Sequence, residues 1–208
     1  MAASSTSEPT VRVARFLDQT VAEGPGVRTA VWVQGCSIRC PGCFNPHLFT
    51  TRGGTPVSAD ELVTRIVAAG TDGVTLLGGE PFDQAAGLAV VASGVRRAGL
   101  TVMTFSGYGY ADLLGRVEAG DRAVTALLEA TDLLVAGPFR QDLLDHARPW
   151  AGSTNQDFVH LTDRLRDVTA PDRLEVTVTS SGDVALNGWA DPETLDALLD
   201  GLPVRRAR

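Results

Sequence analysis

The sequence predicts an α/β fold, a partial (open) βα barrel of about six strands, with a C-terminal hairpin and helix. Short β-branched and aromatic runs alternate with amphipathic segments, which is typical of βα units around a mainly parallel sheet. A closed eight-fold barrel needs about 250 residues, whereas this chain has 208. Hydrophobic residues make up 44% of the chain, enough for a core of its own.

Strands are predicted where a short apolar run ends at a glycine or a turn. In the barrel these runs are residues 11–16, 29–33, 73–77, 100–105 and 132–136. Near the end of the chain, two further runs at 174–178 and 184–187 flank Ser-Ser-Gly-Asp, which indicates a hairpin.

Helices are predicted between these strands. Ser58 and Glu61 have the spacing of a capping box, so a helix begins after Ser58 and stops at Gly70. The remaining helices are expected over residues 84–98, 110–118 and 121–130, with a last one that begins near 191–193. We therefore expect a disordered tail (1–10), a core (11–160) and a C-terminal extension packed on that core (161–208).

The charge and the N-terminus exclude several classes of protein. The net charge of -7 argues against a nucleic-acid or anionic-lipid partner. The first residues lack the charged start and apolar stretch of a signal peptide. Since no apolar run is long enough to cross a bilayer, the expected location is the cytoplasm.

Cysteine usage is the sharpest local signal. The chain has three cysteines, Cys36, Cys40 and Cys43, in a C-x3-C-x2-C pattern directly after a predicted strand. Thiolates are the ligands that hold iron–sulfur clusters. Because a [4Fe–4S] cubane has four irons, three cysteines would leave one iron free to bind a substrate. A structural zinc site is the alternative, with His47 as the fourth ligand.

Two other strand ends carry motifs that suit ligand binding. Gly78, Gly79 and Glu80 follow the strand 73–77, where glycines allow close approach to a ligand and a carboxylate can receive an ammonium group. Ser106 and its neighbour Gly107 end the strand 100–105. Taken singly, both motifs are also compatible with ordinary turns.

Together these motifs resemble the radical S-adenosylmethionine (SAM) superfamily. The C-P-G-C-F-N run at 40–45 and the G-P-G-V-R run at 24–28 are similar to its glycyl-radical-enzyme activases, in particular those of anaerobic (class III) ribonucleotide reductase. Further similar segments occur at 132–139, 141–143 and 150–156, so the resemblance covers roughly residues 22–160. Ala136 departs from the acidic residue usual in that branch.

The resemblance implies a barrel of the radical SAM type and a defined chemistry. Cys36, Cys40 and Cys43 would hold the [4Fe–4S] cluster. The residues expected to contact SAM are Gly42, Cys43, Phe44, Gly78, Gly79, Glu80 and Ser106. Reductive cleavage of SAM would give a 5′-deoxyadenosyl radical that removes hydrogen from a glycine of a partner glycyl radical enzyme. A flavodoxin or ferredoxin would be the reductant.

Two alternatives remain at this point. The same core could act on a small metabolite or a modified peptide, with the residues beyond 160 binding that substrate. The chain could also be a non-catalytic zinc-binding interaction module. No acid–base pair is evident in the sequence, and no catalytic residue is assigned beyond the cluster and SAM.

Overall fold

Seven strands form one mixed sheet in the order β3-β1-β2-β4-β5-β6-β7, and a separate hairpin pairs β8 with β9. The computed structural model describes residues 8–168, 174–178, 180, 182, 184–188, 190 and 192–200. The strands are β1 (Thr10–Thr20), β2 (Arg28–Val33), β3 (Thr55–Ser58), β4 (Gly73–Gly78), β5 (Thr101–Ser106), β6 (Leu133–Ala136), β7 (Asp157–His160), β8 (Leu174–Val178) and β9 (Val184–Gly188). The four central strands β2, β4, β5 and β6 run parallel.

Helices cover one face of this sheet. They are α1 (Ala59–Ala68), α2 (Ala85–Arg97), α3 (Tyr110–Glu118) and α4 (Arg122–Glu129). A further helix, α5 (Pro192–Leu199), follows the hairpin in the chain. Alternate strand residues, among them Val31 and Leu76, pack with α1 to α4 in the main core. Their neighbours in sequence, such as Trp32 and Leu77, belong to a smaller cluster on the other face. That second face, free of α1 to α4, carries the candidate site.

The first helix begins as its sequence predicts. The Ser58 hydroxyl accepts a hydrogen bond from the backbone N–H of Glu61 at 3.2 Å, which satisfies one free donor of the first turn. Ser58 is also the last residue of β3, which pairs antiparallel with β1. Capping and strand pairing therefore share this residue.

Three expectations from the sequence need correction. The sheet has seven strands rather than about six, because the short edge strands β3 and β7 carry no periodic signal. The sheet is mixed rather than mainly parallel, since β1, β3 and β7 pair antiparallel with their neighbours. The expected tail is too long, since Thr10 pairs with Ser58; residues 1–7 of that tail lie outside the described residues.

Arg28 of the G-P-G-V-R run is a structural residue. Its side chain is fully buried, and its guanidinium donates to the hydroxyls of Thr75 (2.7 Å) and Thr101 (3.0 Å) and to the carbonyl of Val74 (2.6 Å). Burial lowers the pKa of this arginine to about 10. Arg28 thus connects the amino ends of three parallel strands, opposite the edge where the cysteine loop begins.

The C-terminal hairpin contacts the core through β1. Thr20 donates to the Glu175 carboxylate at 2.6 Å and accepts from the Asn187 amide at 2.7 Å. The predicted turn of the hairpin includes residues 181 and 183, which lie outside the described residues.

Candidate functional site

A cavity of about 430 Å³ lies at the face of the sheet that is free of α1 to α4. The three cysteines line it, together with glycines at the carboxyl ends of the other parallel strands: Gly78 and Gly79 at the end of β4, Gly107 after β5 and Gly137 after β6. Carboxyl ends of parallel strands meet at one sheet edge, which is where α/β proteins place their ligands. The cavity is therefore the candidate site.

Backbone amides surround the three thiols. The N–H of Asn45 lies 3.4 Å from the Cys43 sulfur, Ile38 and Arg39 donate to Cys36, and Phe139 donates to Cys40. Burial raises the pKa of all three thiols, and these N–H groups oppose that rise. N–H donors to sulfur are also what tunes a bound iron–sulfur cluster. The loop therefore offers three half-buried thiols with a preformed set of donors.

Gly78 and Gly79 hold the strand end of β4 against the start of the cysteine loop. The N–H of Gly79 donates to the Val33 carbonyl and that of Glu80 to the Gly35 carbonyl, both at 2.8 Å. A Cβ at Gly79 would collide with the Gly35 carbonyl oxygen, and Gly78 has a φ of +111°. Both glycines are thus required by a close approach of two backbones, in addition to any role toward a ligand.

Glu80 is buried and already fully engaged. Its carboxylate accepts hydrogen bonds from the N–H of Phe82 (2.9 Å), the hydroxyl of Ser106 (2.9 Å) and the N–H of Gly107 (2.7 Å). Burial raises its pKa to about 7, although these three donors favour the charged form. Glu80 therefore joins the carboxyl ends of β4 and β5, and the predicted ligand Ser106 faces Glu80.

Asp83 fixes the cysteine loop from the segment after Glu80, and sequence reasoning missed it. Its carboxylate accepts from the backbone N–H of Ser37 at 2.8 Å and from the Ser37 hydroxyl at 2.9 Å. Tyr108, just after β5, also donates to Asp83 at 3.1 Å. Nothing local distinguishes this aspartate from a surface residue, because Ser37 is 46 positions away.

Gly42 and Phe44 lie where the cysteine loop meets the segment after β6. Gly42 has a φ of +75°, and the Gln141 side chain occupies the space beside it. Phe44 is 57% exposed and packs on Phe139, with ring centroids 4.9 Å apart. Phe44 lines the cavity, and Gly42 is fixed by its backbone conformation.

The segment between β6 and β7 forms a further wall of the cavity, and Trp150 and Gln156 lie in it. The Gln156 side chain accepts from the N–H of Gly152 at 2.8 Å and donates to the Gly137 carbonyl at 3.1 Å. Asp145 accepts from two backbone N–H groups, and the N–H of Arg148 is the largest cause that lowers its pKa to about 2. These bonds hold the wall in a defined loop conformation.

The cavity also has a polar part away from the cysteines. Arg15 stacks on Trp32, with its guanidinium carbon 4.5 Å from the ring centroid. Glu23 lies in the same part, and burial raises its pKa to about 7 while Arg15 opposes that rise. Leu186 and Asn187 of the C-terminal hairpin complete this part. The sequence alone did not single out Arg15 or these two hairpin residues.

Within the described part of the chain, no group of three or more His, Cys, Asp or Glu side chains is placed to hold one metal ion. His47, the possible fourth zinc ligand, is exposed and lies in the short 3-10 helix Pro46–Leu48. A cubane presents a different iron to each thiolate, so a cluster does not require the three sulfurs to share one metal ion.

Comparison with known proteins places residues 22–159 in the family described as "4Fe-4S single cluster domain". The anaerobic ribonucleoside-triphosphate reductase-activating protein of Salmonella typhi is 30% identical over 162 residues, which cover 73% of this chain and 99% of that protein. Its counterpart in Vibrio cholerae is 33% identical over 149 residues (65% and 89%). The pyruvate formate-lyase-activating enzyme of Clostridium pasteurianum is 35% identical over 95 residues (42% and 40%). In the described part of the chain, no helix is both long enough and apolar enough to span a membrane.

Proposed function

The chain belongs to the 4Fe-4S single cluster domain family, within the radical SAM activating proteins of glycyl radical enzymes, and from that premise we propose that it activates an anaerobic ribonucleotide reductase. It uses a [4Fe–4S] cluster and SAM as cofactors. The observation that carries the proposal is one cavity that contains three thiols and the Gly78-Gly79-Glu80 strand end. The alignment over almost the whole of the Salmonella protein favours a reductase over other partners.

The residues of the site fit the cluster. Cys36, Cys40 and Cys43 would hold it, and the N–H donors around their sulfurs would stabilise the thiolates. When bound, the cluster and SAM together supply an electron and a cleavable S–C5′ bond, which yield the 5′-deoxyadenosyl radical.

The residues of the chain itself bind and orient SAM and shield it in the cavity. Glycine backbone at Gly78 and Gly79 gives SAM an approach that is free of side chains, and Cys43 and Phe44 line the same cavity. Glu80 and Ser106 then act as positioning residues, because their side chains bond to each other and fix the strand ends. Gly42 lets the loop turn between the second and third cysteine.

The same proposal extends to the barrel, the C-terminal extension and the electron donor. The face of the sheet that is free of α1 to α4 would be the inner wall of an open βα barrel, with residues 11–160 as the core and residues beyond 160 packed against it. A flavodoxin or ferredoxin in the cytoplasm would deliver the electron, since a cluster with an open iron needs a reducing compartment. Abstraction of a hydrogen atom from a glycine requires no acid–base pair from the chain.

The test is activation of the reductase in vitro under anaerobic conditions. The reconstituted protein is mixed with SAM, dithionite and the anaerobic ribonucleotide reductase of the same organism. We expect a glycyl doublet in the EPR spectrum of the reductase and one 5′-deoxyadenosine for each radical formed. Cys40→Ala should abolish both, and Cys40→Ser is the isosteric control for loss of the thiolate.

Two outcomes would contradict the proposal. Release of 5′-deoxyadenosine with no radical on the reductase would favour a small metabolite or peptide as substrate. A protein that holds stoichiometric zinc and no iron after anaerobic preparation would exclude the SAM chemistry altogether.

A further inference from the structure

The C-terminal hairpin lies outside the family match and yet contributes to the candidate site. The family match ends at residue 159, and the alignment with the Salmonella protein takes up 99% of that protein but only 73% of this chain. Leu186 of β9 nevertheless lines the same cavity as the three cysteines. The hairpin is therefore an addition to the shared core that lines part of the candidate cavity.

One face of the hairpin is used for attachment. Glu175 and Asn187 are a cross-strand pair, so their side chains lie on the same face, and both bond to Thr20 of β1 at 2.6 and 2.7 Å. Arg15 adds a longer bond to Asn187 at 3.5 Å. These contacts orient the hairpin on the core through its polar side.

The other face is apolar and open. Val176 pairs with Leu186 and Val178 pairs with Val184, which places all four side chains on the face opposite to Glu175 and Asn187. In the described part of the chain, the three valines are 46%, 65% and 37% exposed in chain order. We call these four residues the valine face. Exposed apolar side chains that adjoin on one strand face are typical of surfaces that bind another protein.

We propose that the valine face is the docking surface for the loop of the glycyl radical enzyme that carries the target glycine, and that it selects the partner. This inference rests on the proposed function. Leu186 belongs to this face and also lines the cavity, whereas the three valines lie outside the cavity lining, so a polypeptide that approaches the cavity from this side of the hairpin contacts them. A small metabolite would need no apolar surface outside the cavity.

The chemistry of the face defines the segment that it accepts. None of its four residues carries a charge, although the chain as a whole has a net charge of -7. The matching part of the partner loop is therefore apolar, with β-branched or aromatic side chains next to the glycine-bearing turn. Docking on such a face depends little on salt, because charge screening acts on charged contacts.

The test compares two substitutions on adjacent residues of β8. Val178→Asp places a charge on the valine face, whereas Thr177→Asp places the same charge on the opposite face of the same strand, where Thr177 is also exposed. For each reconstituted variant, the KM for the reductase is measured from the glycyl EPR signal. Uncoupled release of 5′-deoxyadenosine with dithionite and no partner is measured in parallel.

We expect Val178→Asp to raise the KM for the reductase at least tenfold and to leave uncoupled SAM cleavage unchanged. Thr177→Asp should keep both values within about twofold of the wild type. The isosteric Val178→Thr, which adds no charge, should raise KM about two- to threefold, so the inference is tested even where the aspartate variant folds poorly.

Equal KM values for the wild type and both Val178 variants would overturn the inference while the proposed function stands. An equal rise in Thr177→Asp would overturn it as well, since the effect would not belong to one face. If the wild type itself forms no radical on the reductase, the proposed function fails and the inference fails with it.

Discussion

Substitution of Gly79 by alanine distinguishes a structural from a purely ligand-binding role for the Gly78-Gly79-Glu80 strand end. A Cβ at Gly79 would collide with the carbonyl oxygen of Gly35, which is backbone and cannot rotate away. Relief of that collision would separate the two chains and break the Gly79–Val33 and Glu80–Gly35 hydrogen bonds, each of 2.8 Å. The strand end and the start of the cysteine loop should therefore move apart.

The magnitude follows from two contributions. Overpacking in a close contact costs about 1–3 kcal/mol, and each of the two lost hydrogen bonds costs about 0.5–1.5 kcal/mol. We expect Gly79→Ala to lower the free energy of unfolding by about 2–6 kcal/mol. For a chain of this size, this corresponds to a fall in Tm of roughly 4–24 °C. Cluster reconstitution should also decline, because the loop that carries Cys36 begins at Gly35.

Thermal and urea unfolding of the anaerobic protein measures this effect, with iron content as a second readout. Gly115→Ala is the matched control, because Gly115 lies in α3 and a Cβ there meets nothing within 4 Å. Alanine is the better helix former, so this control should gain about 0.5–1 kcal/mol. If Gly79→Ala is as stable as Gly115→Ala and only SAM affinity falls, the reasoning from the backbone contact is refuted.

Three further predictions concern the surroundings of the site. Arg28→Met should lower the free energy of unfolding in urea by about 3 kcal/mol or more, since buried acceptors such as the Val74 carbonyl lose their donor. Substitution of an exposed arginine, Arg97→Met, should change that free energy by less than about 0.5 kcal/mol. Equal stability of the two variants would contradict a structural role for Arg28. The variant Asp83→Asn should release iron in air several-fold faster than the wild type, because the substitution weakens the two hydrogen bonds to Ser37. Substitution of an exposed aspartate, Asp18→Asn, should leave the rate of iron release unchanged. Equal rates for the two variants would show that Asp83 does not hold the loop. Asp145→Asn should speed hydrogen exchange of residues 144–156 near pH 7, with a smaller difference from the wild type as the pH falls. The folded pKa of Asp145, about 2, lies below its ordinary value of 3.8, so its stabilisation is complete above that value and is lost as the pH falls toward 2; a difference that persists unchanged at pH 2 would contradict this.

Much of the fold could be predicted because its signals are local. The runs that form β2, β4, β5 and β6 are apolar and end at glycines, so each was located within one or two residues. The edge strands β3 and β7 were missed, since four residues that include Pro56 or Asp157 carry too little pattern. Edge strands form because a neighbour is available for pairing.

The candidate site was predictable to a similar extent. The three cysteines and Gly79 were identified by spacing and by position after strands, and all of them line the cavity. Asp83 and Leu186 were not identified, although one anchors the cysteine loop and the other extends the cavity wall. Their contacts join segments far apart in the chain, and no local pattern encodes such contacts.

By itself, the sequence determined the chemistry available to this protein, namely three thiols at cluster spacing on a loop after a strand, and a glycine-rich strand end later in the chain. Tertiary structure alone decided what these groups do to each other. It turned Glu80 inward onto Ser106 and brought the C-terminal hairpin to the cavity. The physical reason is that ligand spacing and strand ends are set by neighbouring residues, whereas close backbone contact and buried hydrogen bonds depend on how distant segments pack.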